Sequence, residues 1–229
     1  MLGPEVWIVV PAYNEARVVS GVVRELLALG ASVVVVDDGS EDGTAEAVRG
    51  LPAAVCRHAV NLGQGAALAT GIEFALRRGA SVIATFDADG QHAAEDVPRL
   101  VEALRGRRLD AVLGSRFLPG GSAEGVGRLR RMLLEAAVRF TRLTTGLAIT
   151  DVHNGLRVLT REAAGAVAPR QNRMSHASEI VHRVGALGLR FAEVPVRVRY
   201  TPYSRAKGQR SANAFNILWE LVEGRFGRK

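Results

Sequence analysis

A mostly parallel, doubly wound α/β sheet is what this sequence predicts. Short β-branched runs alternate with helical patterns over roughly the first 115 residues. Those runs are apolar along their whole length, as strands covered on both faces must be. Polar or glycine-rich clusters follow the runs, which places them together at the carboxyl ends of parallel strands.

The elements read as follows. Val6–Val10 is the first strand and Ala16–Leu29 the helix after it, where Val19, Val22, Val23, Leu26 and Leu27 keep a three-and-four spacing and Gly30 stops the helix. Ser32–Asp37 is the second strand, and Asp42-Gly43-Thr44 opens a helix. Ala53–His58, Ser81–Asp87 and Asp110–Ser115 are the third, fourth and fifth strands, with helices at Gly65–Arg78 and Ala93–Arg105 between them. After Phe117 the texture changes: "LPGGSAEGVGR" reads as a flexible loop, then a helix runs from about Leu129 to Gly146 with Leu133, Ala137, Phe140 and Leu143 or Thr144 as its apolar stripe. Gly155–Leu159 reads as a strand, Ala177–Leu187 as a helix, and "AEVPVRVRY" as a strand running into a basic loop. Asn213–Phe226 sets Phe215, Leu218, Trp219, Val222 and Phe226 on one side of an amphipathic helix. There is no internal repeat.

Composition narrows the partners. With 48% hydrophobic and 23% charged residues the chain is a folding sequence, and 229 residues suffice for one domain with an elaboration. A net charge of +7 favours an anionic partner. Aromatics make up only 5% and do not interleave with the basic residues, so nucleic acid is not the expected partner. No run approaches the eighteen or so apolar residues of a membrane span. The opening "MLGPEVWIVVPAYNE" lacks the basic stretch of an export signal, and the single cysteine, Cys56, forms no intramolecular disulfide. A cytoplasmic setting is therefore expected, with Cys56 a small core residue.

The chemistry concentrates in "FDADGQH". Asp87 and Asp89 flank one residue at a strand end, and their repulsion calls for a counter-charge, for which a hard divalent cation with oxygen ligands is the usual choice. Gln91 offers a further oxygen. A calcium loop starting at Asp87 would want glycine five residues on and glutamate eleven on; His92 and Pro98 stand there instead. A phosphatase of the haloacid-dehalogenase type also ends a strand in Asp-x-Asp-Gly, but near its start and with a later acidic pair; here the motif ends the fourth strand. "VVVVDDGSEDGT" is good turn chemistry, and its Asp37 and Asp38 are also suited to a base N–H or ribose hydroxyl. "NLGQGAALATG" has Gly63-x-Gly65 but Leu68 where a dinucleotide fingerprint needs its third glycine, so a nicotinamide cofactor is disfavoured.

Taken in order, "VVPAYNE", "VVDDGSEDGT", "NLGQGAAL", "FDADGQH", "LGSRF" and "TDVHNGLRVL" resemble the family 2 glycosyltransferases, above all the dolichyl- or polyprenyl-phosphate mannose synthase-like members, over about Ile8 to Lys207. The resemblance implies a GT-A fold, a single domain with a nucleotide-sugar half at 1–117 and an acceptor half at 118–229. It implies inverting transfer from a nucleotide-diphosphate sugar with Mg²⁺ or Mn²⁺. By this analogy Pro11, Ala12, Tyr13 and Glu15 cradle base and ribose, Val36 and Asp38 meet the base, and Gly65 approaches the nucleotide. Asp87, Ala88 and Asp89 form the Asp-x-Asp motif, with Asp89 and Gln91 on the metal and Asp87 on metal or ribose. Arg199, Arg205 and Lys207 resemble late basic residues near the donor phosphates. A polyprenyl-phosphate acceptor needs cations, for which Arg116, Arg128, Arg130 and Arg131 are candidates. A sugar-hydroxyl acceptor needs a base, and Asp151 is the candidate. A lipid acceptor would be met at the bilayer surface, with the helices at Leu129–Gly146 and Asn213–Phe226 as contacts.

Overall fold

The computed structural model describes residues 1–124, 128–170 and 176–199. The C-terminal helix expected at Asn213–Phe226 lies outside the described residues.

In chain order the elements are β1 (Val6–Ala12), α1 (Val19–Leu27), β2 (Ser32–Asp37), α2 (Thr44–Ala47), β3 (Ala54–Arg57), α3 (Gln64–Arg77), β4 (Val82–Thr85), α4 (Asp96–Gly106), β5 (Ala111–Ser115), β6 (Ser122–Glu124), α5 (Arg128–Thr145), β7 (Arg157–Thr160), α6 (Arg161–Val167), α7 (His176–Ala186), β8 (Phe191–Pro195) and β9 (Arg197–Arg199). Seven strands form one sheet in the order β3-β2-β1-β4-β7-β5-β8, and β6 and β9 form a second of two strands. All pairings are parallel except those of β7, which runs antiparallel to β4 on one side and to β5 on the other. The expected mostly parallel α/β sheet is therefore present, with one strand reversed.

Alternation along β1 shows how the sheet divides the core. Val6, Ile8, Val10 and Ala12 face one side with Val19, Val22, Val23 and Leu26 of α1 and Val97, Leu100, Val101 and Leu104 of α4. Val9 faces the other with Ala67, Leu68, Ile72 and Ala75 of α3, Ala163 of α6 and Ile180 and Val184 of α7. Leu26 and Ile8 are fully buried, and truncating either to alanine costs about 2–5 kcal/mol. Cys56 is half-buried against the second cluster, and burial raises the pKa of its thiol.

Four local expectations change. The helix expected from Ala16 begins at Val19, because the amides of Glu15 and Ala16 donate to Thr44 Oγ1 and Asp42 Oδ2 instead of opening a helix. The loop expected after Phe117 contains β6, which pairs with β9. The "AEVPVRVRY" strand divides at Val196: β8 extends the main sheet beside β5, and β9 leaves it for β6. Of the expected stripe of Leu133, Ala137, Phe140 and Leu143 or Thr144 on α5, Ala137 is buried, but its buried companions among the described residues are Leu134 and Thr141; Leu143 is 86% exposed and Met132 66%. The helix packs on the small cluster of Leu113, Ile149, Val152 and Val181 through Val138. The pattern held two apolar stripes, and only contact with this cluster selects one.

Candidate active site

The strand order reverses direction at β1, whose neighbours are β2 and β4, and in an open parallel sheet the crevice beyond such a switch point receives the ligand. The loops after β1, β2, β3 and β4 meet there.

The first two loops are knitted together. Asn14 N donates to Ser40 Oγ at 2.9 Å, Glu15 N to Thr44 Oγ1 at 2.8 Å and Ala16 N to Asp42 Oδ2 at 3.0 Å, while Glu41 N returns a bond to Asn14 Oδ1. Asn14 holds a left-handed backbone at φ 54°, which asparagine tolerates better than most. Glu15 is buried, and Tyr13 stands 42% exposed over the loop pair. Beside it opens a cavity of about 550 Å³ lined by Tyr13, Gly39, Ser40, Arg57, Val60 and Asn61, with Val60 itself exposed. A larger cavity of about 620 Å³ lies at the opposite end of the sheet, around Val82, Leu104, Leu109 and Arg190. Volume alone does not find the crevice.

The two aspartates after β2 are engaged by the protein itself. Asp37 is fully buried and accepts from Ser40 N at 2.9 Å, with Arg57 Nε 3.3 Å from its other oxygen but poorly aligned for a hydrogen bond. Asp38 accepts from Leu62 N at 3.0 Å and Gly63 N at 2.7 Å, and His58 Nδ1 stands 2.7 Å away. His58 is fixed on its other side by Thr70 Oγ1 at 3.0 Å. Asp38 thus pins the loop leading into α3. Val36, expected on the base, is fully buried with its side chain in the core. Pro11 and Ala12 complete β1 in register with Val36 and Asp37. Gly65 is buried in the first turn of α3, and its neighbour Gln64, not singled out from the sequence, donates through Nε2 to Asp87 Oδ1 at 2.9 Å.

Asp87 and Asp89 are treated oppositely. Burial pushes the Asp87 carboxyl up, but a hydrogen bond from His92 and the charges of His92, His176 and Arg157 more than offset it and hold the pKa below the ordinary value. His92 Nε2 lies 3.2 Å from Asp87 Oδ2. Asp89 is pushed up to about 6 by burial and by the charge of Asp87, against the bonds it accepts from Gln91 N at 3.0 Å and Gln91 Nε2 at 2.7 Å. Ala88 between them is buried. Asp87 has His92, His176 and Arg157 acting on it; Asp89 has the Gln91 amides and His92 alone. Among the described residues no group of three or more His, Cys, Asp or Glu is placed to hold a metal by itself. One under-compensated carboxylate with an amide beside it fits a cation that takes one or two protein ligands and completes its shell with phosphate oxygens and water.

On the far side, Arg116 and Asp151 are brought together and engage each other. Arg116 Nε donates to Asp151 Oδ2 at 2.7 Å and Nη2 to Oδ1 at 2.8 Å, with the Arg116 amide adding a third bond. Burial pushes Asp151 up, but these bonds and the guanidinium charge win and hold its pKa below the ordinary value. A carboxylate so held is a weaker base than a free one, and two of the Arg116 donors are committed to it. Glu193 of β8 supports the pair by accepting from the Thr150 and Asp151 amides at 2.8–3.0 Å. Arg157, read from the sequence only as part of a strand, is buried at 2% exposure. Burial lowers its pKa to about 10, against the pull of Asp87 and Asp151, so it stays charged at neutral pH. His153 is lowered to about 4 by burial.

Arg199 is exposed at the end of β9, where its amide donates to Gln91 O at 2.9 Å and so ties β9 to the Asp-x-Asp loop. Arg205 and Lys207, and the side chains of Arg128, Arg130 and Arg131 in the first turn of α5, lie outside the described residues.

Known proteins resemble this chain in both sequence and shape. The family model described as glycosyl transferase family 2 matches residues 7–167. An uncharacterized protein of Methanocaldococcus jannaschii is 35% identical over 95% of this chain and 91% of its own length. The undecaprenyl-phosphate mannosyltransferase of Micrococcus luteus is 32% identical over 82% of this chain and 81% of its own. The UDP-N-acetylglucosamine–dolichyl-phosphate N-acetylglucosaminyltransferase of Methanococcus voltae is 28% identical over 97% of both. In shape, glucosyl-3-phosphoglycerate synthase of Mycobacterium tuberculosis, crystallised with Mn²⁺, UDP-glucose and phosphoglyceric acid, superposes with a TM-score of 0.71 at 20% identity over 98% of this chain and 80% of that one. The shared fold is GT-A.

Proposed function

The chain belongs to glycosyl transferase family 2 and is a glycosyltransferase, and from that premise we propose that it moves a sugar, with inversion, from a nucleotide-diphosphate sugar to a polyprenyl phosphate. The observation that carries the reading is the asymmetry of the aspartate pair: Asp87 is compensated within the protein, and Asp89 is left for a cation beyond the end of β4, on the same rim as the loops after β1 and β2. Relatives named for transfer to undecaprenyl and dolichyl phosphate support the acceptor, and a like-folded enzyme crystallised with Mn²⁺ and UDP-glucose supports the donor.

In this reading residues 1–117 hold the donor and the remainder the acceptor. Tyr13 and Val60 flank the base, the loop pair after β1 and β2 holds the ribose, and the diphosphate lies toward Asp89 and Gln91. Mg²⁺ or Mn²⁺ bound there would supply the positive charge that stabilises the departing nucleoside diphosphate. Asp87, held by Gln64 and His92, takes a ribose hydroxyl or an outer position on the metal. A polyprenyl phosphate is already an anion and needs no base, which suits a site whose candidate base is paired with arginine. Arg116, with Arg128 and Arg131, is assigned to orienting it, and Arg199, Arg205 and Lys207 to the charge of the donor phosphates.

No described helix is long and apolar enough to cross a membrane. Met132 and Leu143, eleven residues apart on one face of α5, stand exposed. That face supports a peripheral position at the cytoplasmic membrane surface, where the lipid acceptor presents its phosphate. The test is transfer from radiolabelled GDP- and UDP-sugars to polyprenyl phosphate in detergent. Product that forms only with Mg²⁺ or Mn²⁺ and with inverted anomeric configuration is expected; release of inorganic phosphate, or retention, overturns the reading.

A further inference from the structure

The chain from the Asp-x-Asp loop into α4 is fastened along the place where β8 gives way to β9. Arg99 Nη2 donates to Pro195 O, the end of β8, at 2.9 Å. The amide of Arg197, which opens β9, donates to Asp96 Oδ2 at 2.8 Å, and its Nη2 donates to Glu95 Oε1 at 2.8 Å. Nearer the site, His92 forms an antiparallel bridge with Val198, and the Arg199 amide donates to Gln91 O at 2.9 Å. Gln91 in turn donates to Asp89 through its backbone and its side chain. Val198 is buried in the core, while Arg197 and Arg199 on either side of it are exposed, as alternation along a strand requires. Asp96, the first residue of α4, is fully buried, and its other carboxylate oxygen accepts from Arg99 Nη2. The Glu95–Arg197 pair is largely exposed and holds little by itself.

We propose that Asp96 is a positioning residue: by holding the first residue of β9 it sets Arg199 beside Gln91, so that Arg199 and the cation at Asp89 act on the same donor diphosphate. The inference rests on the glycosyl-transfer reading above. β9 is three residues long and pairs with a strand of three, and so short a ribbon is not held in place by its own pairing. Its position therefore depends on what grips it, and Asp96 grips the residue at which it departs from the main sheet. A carboxylate costs free energy to bury, and an apolar side chain at this position would spare that cost. What an apolar side chain cannot do is accept the Arg197 amide and the Arg99 guanidinium together, and so fix one end of β9 to α4.

The test is a double-mutant cycle of Asp96→Ala and Arg199→Ala. It is read by transfer kinetics with donor and acceptor varied separately, by calorimetry of GDP and UDP with Mn²⁺, and by thermal melting. Each single variant should raise the donor KM, and the Kd for the nucleoside diphosphate with Mn²⁺, by about tenfold, with the acceptor KM unchanged. The double variant should bind donor no more weakly than Arg199→Ala alone, because Asp96 acts through Arg199. Asp96→Asn, which keeps one oxygen for the Arg197 amide, should fall between wild type and Asp96→Ala. Losses that multiply in the double variant overturn the inference, as does a matching rise in the acceptor KM. So does an Arg199→Ala or Asp96→Ala enzyme with wild-type donor constants, whatever its Tm. Should Asp96→Ala not fold, the cycle is run with Asp96→Asn: a loss that disappears in the Arg199→Ala background supports the inference, and a multiplied loss or none overturns it. Wild-type protein that transfers no sugar from any nucleotide sugar overturns the proposed function and this inference with it. Wild-type protein that transfers while the cycle is additive overturns this inference alone.

Discussion

The loop after β2 and the loop after β4 look alike in sequence: each ends an apolar strand with two nearby aspartates and a glycine. In the first, Asp38 accepts two backbone amides with His58 beside it, and Asp37 accepts one amide with Arg57 close to its other oxygen. In the second, one carboxylate is satisfied and its neighbour is left with an amide for company, its pKa raised to about 6. Similar strand ends thus serve as a clamp and as a ligand site, and the difference lies in what the rest of the fold brings to them. Arg57 and His58 come to the first loop from β3 and its end. His92, His176 and Arg157 all act on Asp87, and of these three only His92 also acts on Asp89.

The comparison breaks most visibly at Asp89. Asp89→Asn should cut transfer at least about a thousandfold in the presence of Mn²⁺, measured as nucleoside diphosphate release, because the ligand that meets the metal is gone. Undiminished turnover would place the cation elsewhere. Gly155→Ala comes next, since its Cβ must displace the Asp87 carboxylate; about a hundredfold loss of kcat is expected in steady-state assays.

On the clamp side the loss should appear as stability. Asp38→Ala removes the acceptor for the Leu62 and Gly63 amides and the partner of His58, and about 1–3 kcal/mol should be missing in urea unfolding. Gly39→Ala should act the same way, because Gly39 holds φ at 72° and its Cβ would lie 2.5 Å from the Val60 carbonyl carbon. A full-stability Asp38→Ala protein would erase the distinction between the loops.

The smallest effect depends on pH. The pKa of Asp89 is raised on folding, so the folded state binds its proton more tightly than the unfolded state does. The contribution of Asp89 to the stability of metal-free protein is therefore fully present below the ordinary value of 3.8 and is lost as pH rises to about 6. Asp89→Asn carries no such penalty. Its Tm should exceed that of the wild type by a few degrees above pH 6, with the gap closing toward pH 4, in metal-free calorimetry.

Much of this was legible in the chain. Val6–Val10, Ser32–Asp37 and Asp110–Ser115 are β-branched runs buried on both faces, and their ends mark the rim. The Asp-x-Asp loop stood out because a strand end leaves its polar residues nowhere else to point. Arg157, Gln64 and His176 did not stand out. An arginine in "GLRVL" reads as one more strand residue, and only the antiparallel register opposite Thr85 brings it to Asp87. Asp151 was visible as an acid, but its pairing with Arg116, 35 residues away, was not, and that pairing changes what it can do. Periodicity reports which face a residue takes; it does not report which strand will lie beside it.

The reversed strand has a consequence for how the molecule comes to exist. β4 and β5 are made early and are not neighbours; β7, which joins them, follows more than forty residues after β5. A chain that has reached only residue 117 carries two strand edges with no partner between them, and such edges invite pairing with other chains. The stretch that holds the donor in the reading above is for that reason a division of labour and not a unit of folding. Its sheet closes only when the segment bearing Arg157 arrives and joins the fifth strand to the first four.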